Sequence, residues 1–261
     1  MLKVRIIPTL LWKGVGLVKG AGFDSWRRVG PVLPAIKVYN TREVDELMLL
    51  DIEAHETAEG PDLESVGDFA DECFIPFTVG GGISTTAQIQ RLLRAGADKV
   101  CINTQAYLNP RLIRESAERF GAQCVVASID ARRTETGWEC YSHSGSRSTG
   151  KSPVAWAKEL EALGAGEILI TSIDRDGTME GYDLELISEI ARAVSLPVIA
   201  SGGAGTYEHM RQAVQEAGAA AVAAASMFHF TEQTPAEAKR YLAATGIPVR
   251  ANFISAGLGC G

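Results

Sequence analysis

The sequence predicts an α/β fold, a closed (β/α)8 barrel assembled from two repeated halves, and three observations carry that expectation. Short apolar runs alternate with amphipathic stretches along the chain, the pattern of βα units feeding a parallel sheet, and eight such runs can be counted. The length of 261 residues suits one barrel, for which about 250 is typical. The halves also echo each other. TVGGGI from Thr78 recurs as IASGGAG from Ile199, placing Gly81 and Gly202 121 residues apart. LLDIEA around Asp51 answers ITSIDRDGT around Asp174, and Leu11 answers Asp130 in SIDARR. Three landmarks in one register point to duplication of a half-barrel.

The strands follow in order: RIIPTLL from Arg5, ELMLLDI from Glu46, FIPFTV from Phe74, KVCIN from Lys99, QCVVASID from Gln123, EILITSID from Glu167, PVIASG from Pro197 and AVAAAS from Ala221. Each is a short apolar run, the form of a strand covered on both faces. Between them lie helical stretches such as TTAQIQRLLRAG from Thr85 and SPVAWAKELEALGAG from Ser152, each closed by a glycine suited to a helix C-cap. Two segments interrupt the alternation. Trp12 to Gly30 is long, Gly-rich and basic, which fits either a mobile lid over an anionic ligand or a solvated loop. GWECYSHSGSRSTG from Gly137 reads as a β-hairpin inserted after strand five, with Arg147 near its return; it either touches ligand or decorates the rim. Residues 1–250 form one domain in this reading, and 251–261 a tail.

Composition narrows the function. Apolar residues at 46% and charged residues at 22% are globular values. A net charge of −7 argues against broad contact with nucleic acid or acidic membrane, and favours a small anionic ligand held by local groups. Cys73, Cys101, Cys124, Cys140 and Cys260 are odd in number and lack CxxC spacing, so they read as reduced core residues. His55, His143, His209 and His229 are too scattered for a metal site, and no cofactor is implied. Without a signal-peptide core or an apolar stretch near the ~18 residues that cross a bilayer, the expected location is cytoplasmic.

In parallel barrels the chemistry stands at the C-terminal ends of the strands. Gly80, Gly81 and Gly82 follow one strand, and Gly202 and Gly203 another. Bare N–H groups opening a helix can hold phosphate oxygens, and two clusters imply two phosphates, with Asn103, Thr104 and Ser226 as further donors. Asp130 ends strand five and is the first candidate for proton transfer; Asp51, Asp174 and Asp176 stand at the same rim. For Asp174 and Asp176, turn formation by RDGT is an open alternative. Leu11 is the anomaly, an aliphatic side chain where the repeat leads one to expect a partner for Asp130. At the opposite end, Arg5, Glu46, Lys99 and Glu167 begin their strands. They are either ordinary solvated charges or a ring of ion pairs gating a central passage.

These motifs resemble the cyclase subunit of imidazole glycerol phosphate synthase. The resemblance rests on RII from Arg5, LVKG from Leu17, TVGGGI from Thr78, LLRAGADKV from Leu92, GAGEILITSIDRDGT from Gly164, GYDLEL from Gly181, PVIASGGAG from Pro197 and MFHF from Met227, and covers Met1 to Arg250. It implies a barrel that takes ammonia from a separate glutaminase subunit docked at the N-terminal face and delivers it to a bisphosphorylated substrate. Carried over, Arg5, Glu46, Lys99 and Glu167 resemble the family's ammonia gate, and Asp98 and Gln123 its glutaminase-facing residues. Gly82, Asn103, Thr104, Gly177, Gly203, Ala225 and Ser226 resemble its phosphate-binding positions, to which the repeat adds Asp51, Gly81 and Gly202. Asp130 resembles one catalytic aspartate, with Asp176 as a second catalytic candidate. The family's other aspartate falls on Leu11; Arg28 replaces an acidic loop residue, and Glu53 and His55 follow Asp51 where small polar residues are usual.

Three functions remain open on this basis. A divergent branch of the family, found with a glutaminase-like partner in surface-polysaccharide pathways, is thought to supply ammonia to a third, ATP-using amidotransferase that makes an acetamidino group on a nucleotide sugar; the chain resembles that branch. The second is an ordinary cyclase of histidine synthesis with Glu53 or His55 replacing the missing carboxylate. The third is a non-catalytic scaffold that activates its glutaminase.

Overall fold

The computed structural model describes residues 3–14, 16–42, 44–54 and 59–250, so that His55, the tail 251–261 and Cys260 lie outside the described residues. In chain order the strands are β1 (Arg5–Lys13), β2 (Gly16–Ala21), β3 (Asp24–Gly30), β4 (Leu47–Asp51), β5 (Phe77–Gly80), β6 (Lys99–Ile102), β7 (Val125–Thr134), β8 (Gly137–Ser142), β9 (Arg147–Ser148), β10 (Glu167–Ser172), β11 (Val198–Ser201) and β12 (Ala221–Ala224). Eight of them, β1, β4, β5, β6, β7, β10, β11 and β12, pair in parallel around a closed circuit, β10 returning to β7. The fold is a (β/α)8 TIM barrel. Because side chains alternate across a strand, Ile6, Leu49 and Val100 join the core between sheet and helices, whereas Ile7, Met48, Cys101, Val126, Leu169 and Ile199 fill the barrel interior.

The helices among the described residues are α1 (Val32–Thr41), α2 (Leu63–Asp71), α3 (Thr86–Arg94), α4 (Thr104–Leu108), α5 (Arg111–Phe120), α6 (Pro153–Ala162), α7 (Leu184–Ala193), α8 (Tyr207–Gln215), α9 (Ser226–Phe230) and α10 (Pro235–Ala244). Their starts are written in the sequence. Thr85 with Gln88, and Thr234 with Glu237, form capping boxes that satisfy the first free N–H groups of α3 and α10, while Asp62, Asp183 and Thr206 cap α2, α7 and α8. No helix among the described residues is long and apolar enough to cross a membrane.

Several details differ from the sequence reading. Trp12–Gly30 is not an irregular loop, since β1 runs on to Lys13 and β2 and β3 fold back as an antiparallel hairpin. Leu17 and Lys19 bury one part of it, and Gly22, Phe23 and Ser25 turn the chain with positive φ. The fifth run extends as predicted into a hairpin, β7 pairing with β8 and β8 with β9. The third run begins only at Phe77, where the Asp98 carboxylate accepts the Phe77 N–H at 2.7 Å; Phe74 before it is 81% exposed. Gln123 and Cys124 sit in a 3-10 turn (Ala122–Cys124) below β7, so Cys124 is half-buried rather than a core residue.

Candidate functional site

The C-terminal ends of the strands enclose a cavity of about 280 Å³. Asp130 on β7 projects into it from a buried position, held by the Asn103 side-chain amide, which donates to Oδ2. Burial, then the nearby Asp176 carboxylate, pushes the Asp130 pKa up to about 7, against the lowering effect of Asn103. A carboxyl poised there can both take and give a proton near neutral pH. Asp176 has a different environment. Its Oδ2 accepts from Lys19 Nζ at 2.6 Å, and Lys19 is almost completely buried, so this carboxylate is neutralised by the hairpin that closes over it. The Gly22 N–H donates to the Asp176 carbonyl at 2.9 Å and completes the docking.

Leu11 reaches the same cavity and is joined by Phe23, Trp26, Leu50, Ile52 and Ile83 in an apolar wall. Within this lining, two buried oxygens, Thr9 Oγ1 and Asn103 Oδ1, have no hydrogen-bond partner among the described residues. An orphaned buried acceptor costs about 1–3 kcal/mol, and a ligand group would relieve it.

Asp51, Gly81, Gly82, Asn103, Thr104, Gly177, Gly202, Gly203, Ala225 and Ser226 all line the cavity, so the fold gathers residues from six strand ends at one place. Two corrections apply to how they do so. The glycine clusters do not open helices, because α3 begins at Thr86 and α8 at Tyr207, beyond further loop residues. Their glycines are set by close backbone approach: a Cβ on Gly81 (φ +115°) would stand 2.1 Å from the Asp51 carbonyl oxygen, and one on Gly203 (φ +106°) 2.1 Å from that of Gly181. Asp51 spends its Oδ1 on the Glu53 and Ala54 N–H groups at 2.9 and 3.0 Å, a turn-forming role. Asp174 is turned outward, accepting from the Arg133 N–H at 2.8 Å and facing Arg132, so it takes no part in the mouth.

Four charges meet at the opposite end of the barrel. Arg5 contacts Glu46 at 2.7 Å and Glu167 at 3.0 Å, and Lys99 contacts the same two at 2.9 and 3.1 Å, which closes a ring of four ion pairs. Thr78 donates to the second oxygen of Glu46 at 2.7 Å. Burial pulls the Arg5 pKa down but Glu167 and Glu46 outweigh it, leaving a net rise. Between ring and mouth stands the apolar interior of Ile7, Met48, Val126, Leu169 and Ile199. Asp98 and Gln123 are exposed beside the ring-bearing ends of β6 and β7, although the Asp98 carboxylate is also tied to the fold through Phe77.

Of the residues considered as substitutes for the missing carboxylate, Glu53 pairs with Lys13 at 3.2 Å outside the mouth, Arg28 is exposed on β3, and His55 lies outside the described residues. Sequence reading missed Thr9, Lys19, Phe23, Trp26, His143 and Ser144, all of which line the cavity. The hairpins that carry five of them read in sequence only as lid or rim candidates; strand alternation bears on Lys19 and Trp26, whereas Phe23, His143 and Ser144 sit in positive-φ turns beyond its reach.

A family model for histidine biosynthesis proteins matches residues 5–234, nearly the whole barrel, and the chain belongs to that family.

Proposed function

From that membership, we propose that the chain is the ammonia-channelling barrel subunit of a glutamine amidotransferase complex, pairing with a glutaminase and supplying ammonia for amidination of a nucleotide sugar in surface-polysaccharide synthesis. The observation that carries this reading is the pairing of a complete ion ring at the base with an aliphatic Leu11 at the mouth. Ammonia is small and neutral and passes an apolar interior, whereas ammonium entering it would lose its hydration. The ring sets the entry point, with Asp98 and Gln123 on the docking face for the glutaminase. Leu11 can move no proton, so Asp130 is left without the carboxylate that general acid–base cyclisation would use, a loss worth a factor of ~10²–10⁴. Its pKa near 7 still suits it to hold or pass one proton. Thr104, Ser226 and the glycine turns line the cavity, which supports reading it as an anion site.

The test combines the chain with a glutaminase, an ATP-dependent sugar amidotransferase and glutamine labelled with ¹⁵N in its amide. Labelled amidine that depends on this chain supports the reading. The second reading, a histidine-pathway cyclase, is favoured by the family description itself. Turnover of the bisphosphorylated ribulosyl intermediate with ammonia at the usual enzyme rate of ~1–10³ s⁻¹ would establish it and overturn the first.

A further inference from the structure

The mouth has a charge imbalance that a phosphorylated ligand would worsen. Among the described residues lining it, Lys19 is the single lysine or arginine, against Asp51, Asp130 and Asp176, and Lys19 is already committed to Asp176. A dianionic phosphate in this lining faces net negative charge, and Asp130 meets it with a proton attached only below about pH 7. One further lining side chain can become positive, the imidazole of His143. Histidine is the side chain whose charge ordinarily changes between pH 5 and 8.

The backbone at His143 is shaped to present that ring. His143 and Ser144 both adopt φ near +52°, a conformation that costs side-chain-bearing residues of order 1–3 kcal/mol each and persists only when the surroundings over-determine it. Contacts from four directions do so. The Thr104 hydroxyl at the start of α4 accepts the His143 N–H at 2.9 Å, and the Ser144 hydroxyl donates to the Ile52 carbonyl after β4 at 3.3 Å. Gly145 packs on the Phe23 ring of the other hairpin, where a Cβ would come within 2.8 Å. The Ser142 hydroxyl meets His143 Nδ1 at 3.0 Å and orients the ring. His143 is therefore held beside Thr104 in a lining shared with the orphaned oxygen of Asn103 and the buried carboxyl that Asn103 holds.

We propose that His143 is the cationic contact for a phosphorylated ligand in this mouth, and that the ligand enters together with a proton taken from solvent by the His143 imidazole. The inference rests on reading the mouth as an anion site. It assigns specificity as well: the protonated ring offers N–H donors to an anion, while Leu11, Leu50 and Ile83 offer nothing to one, so the phosphate seats on the Thr104 side and the uncharged part of the ligand on the apolar wall.

Inorganic sulfate is the probe, because phosphate esters themselves titrate near ~6 and would confuse the result. Binding is measured by calorimetry at pH 6 and pH 8 in the Asp130→Asn protein, which removes the other titrating side chain, and again with His143→Asn added, asparagine being tolerant of positive φ. The Asp130→Asn protein should lose sulfate affinity by about tenfold or more between pH 6 and 8, and the double variant should bind weakly without pH dependence. In the unaltered protein, the His143 ring resonance should titrate at higher pH with sulfate present than without it, which serves if the double variant fails to fold. A pH dependence that survives in the double variant, or a His143 resonance unmoved by sulfate, overturns the role of His143 alone. No sulfate binding by the unaltered protein at pH 6 overturns the anion site and this inference with it.

Discussion

Lys99→Ala is the perturbation whose size follows most directly from the ring. The four charges balance in the intact protein, and removing Lys99 leaves Arg5 alone between two carboxylates. Breaking a fully buried pair costs about 3–5 kcal/mol. Here Glu46 keeps both Arg5 and the Thr78 hydroxyl, and Arg5, Lys99 and Glu167 retain 14–15% side-chain exposure, so the loss is reduced to about 1–3 kcal/mol. For a chain of this size each kcal/mol moves the melting temperature by about 2–4 °C, which gives a fall of roughly 2–12 °C. Adding Glu167→Gln restores one charge of each sign and should recover part of that loss. The second measurement is stoichiometric: labelled amidine formed per glutamine hydrolysed, in the reconstituted complex, should fall in Lys99→Ala because ammonia escapes at a disordered entrance. Parental melting in Lys99→Ala, or further destabilisation on adding Glu167→Gln, would refute the energetics. An unchanged ratio of amidine to glutamine would refute the gate and leave a structural ring.

Asp130→Asn should alter stability against pH with a definite sign. The folded pKa of about 7 lies above the ordinary value near 3.8, so the stabilising effect of the bound proton is present below about pH 4 and lost as pH rises from 4 to 7, at most about 4 kcal/mol at 1.36 kcal/mol per unit. Urea midpoints of the asparagine variant should lack that decline between pH 4 and 7; a decline equal to the parent's would place the titration elsewhere. Leu11→Asp should push the Asp130 pKa above 7 through like-charge repulsion and raise cyclase turnover of the bisphosphorylated ribulosyl intermediate by ~10-fold or more, followed by a pH–rate profile. Asp98→Asn keeps an acceptor for the Phe77 N–H and should weaken glutaminase activation with the melting temperature nearly unchanged, whereas Asp98→Lys should lose about 1–2 kcal/mol of stability as well.

The barrel was legible because its signals are local and repeated. Apolar runs, Gly-closed helices and capping residues each report on a few neighbouring positions, and eight repetitions correct any single error. What was not legible depended on contacts far apart in sequence. Phe74 lies in an apolar string and reads as strand, yet the Asp98 carboxylate and the backbone pairing with β4 start the ladder at Phe77. The segment from Trp12 is rich in glycine and reads as loop, but Leu17 and Val18 find an edge on β1 and make a hairpin. Gly81 and Gly203 suggested phosphate cradles, and the structure gives them a prior task, the crossing of two backbones within the reach of a Cβ.

The carboxylates show why residue type at a rim cannot assign a role. Asp51, Asp130, Asp174 and Asp176 all stand at strand ends in the sequence, with Asp130 the first candidate for proton transfer and a turn the open alternative for Asp174 and Asp176. Asp51 is spent on two N–H groups, Asp174 faces Arg132, Asp176 is cancelled by Lys19, and Asp130 alone of the four is buried without a cation among the described residues. Desolvation then does what no sequence pattern records, holding one carboxyl near pH 7 while its neighbour stays paired. Asp176 contributes to that rise, after burial, as a nearby negative charge, and it is itself paired with Lys19 at 2.6 Å. The hairpin of β2 and β3 thus lines the mouth and supplies the cation beside Asp176. Replacing Lys19 with Met should therefore raise the Asp130 pKa further, which a carboxyl resonance titration would register; a pKa unchanged in that variant would mean that burial alone sets it.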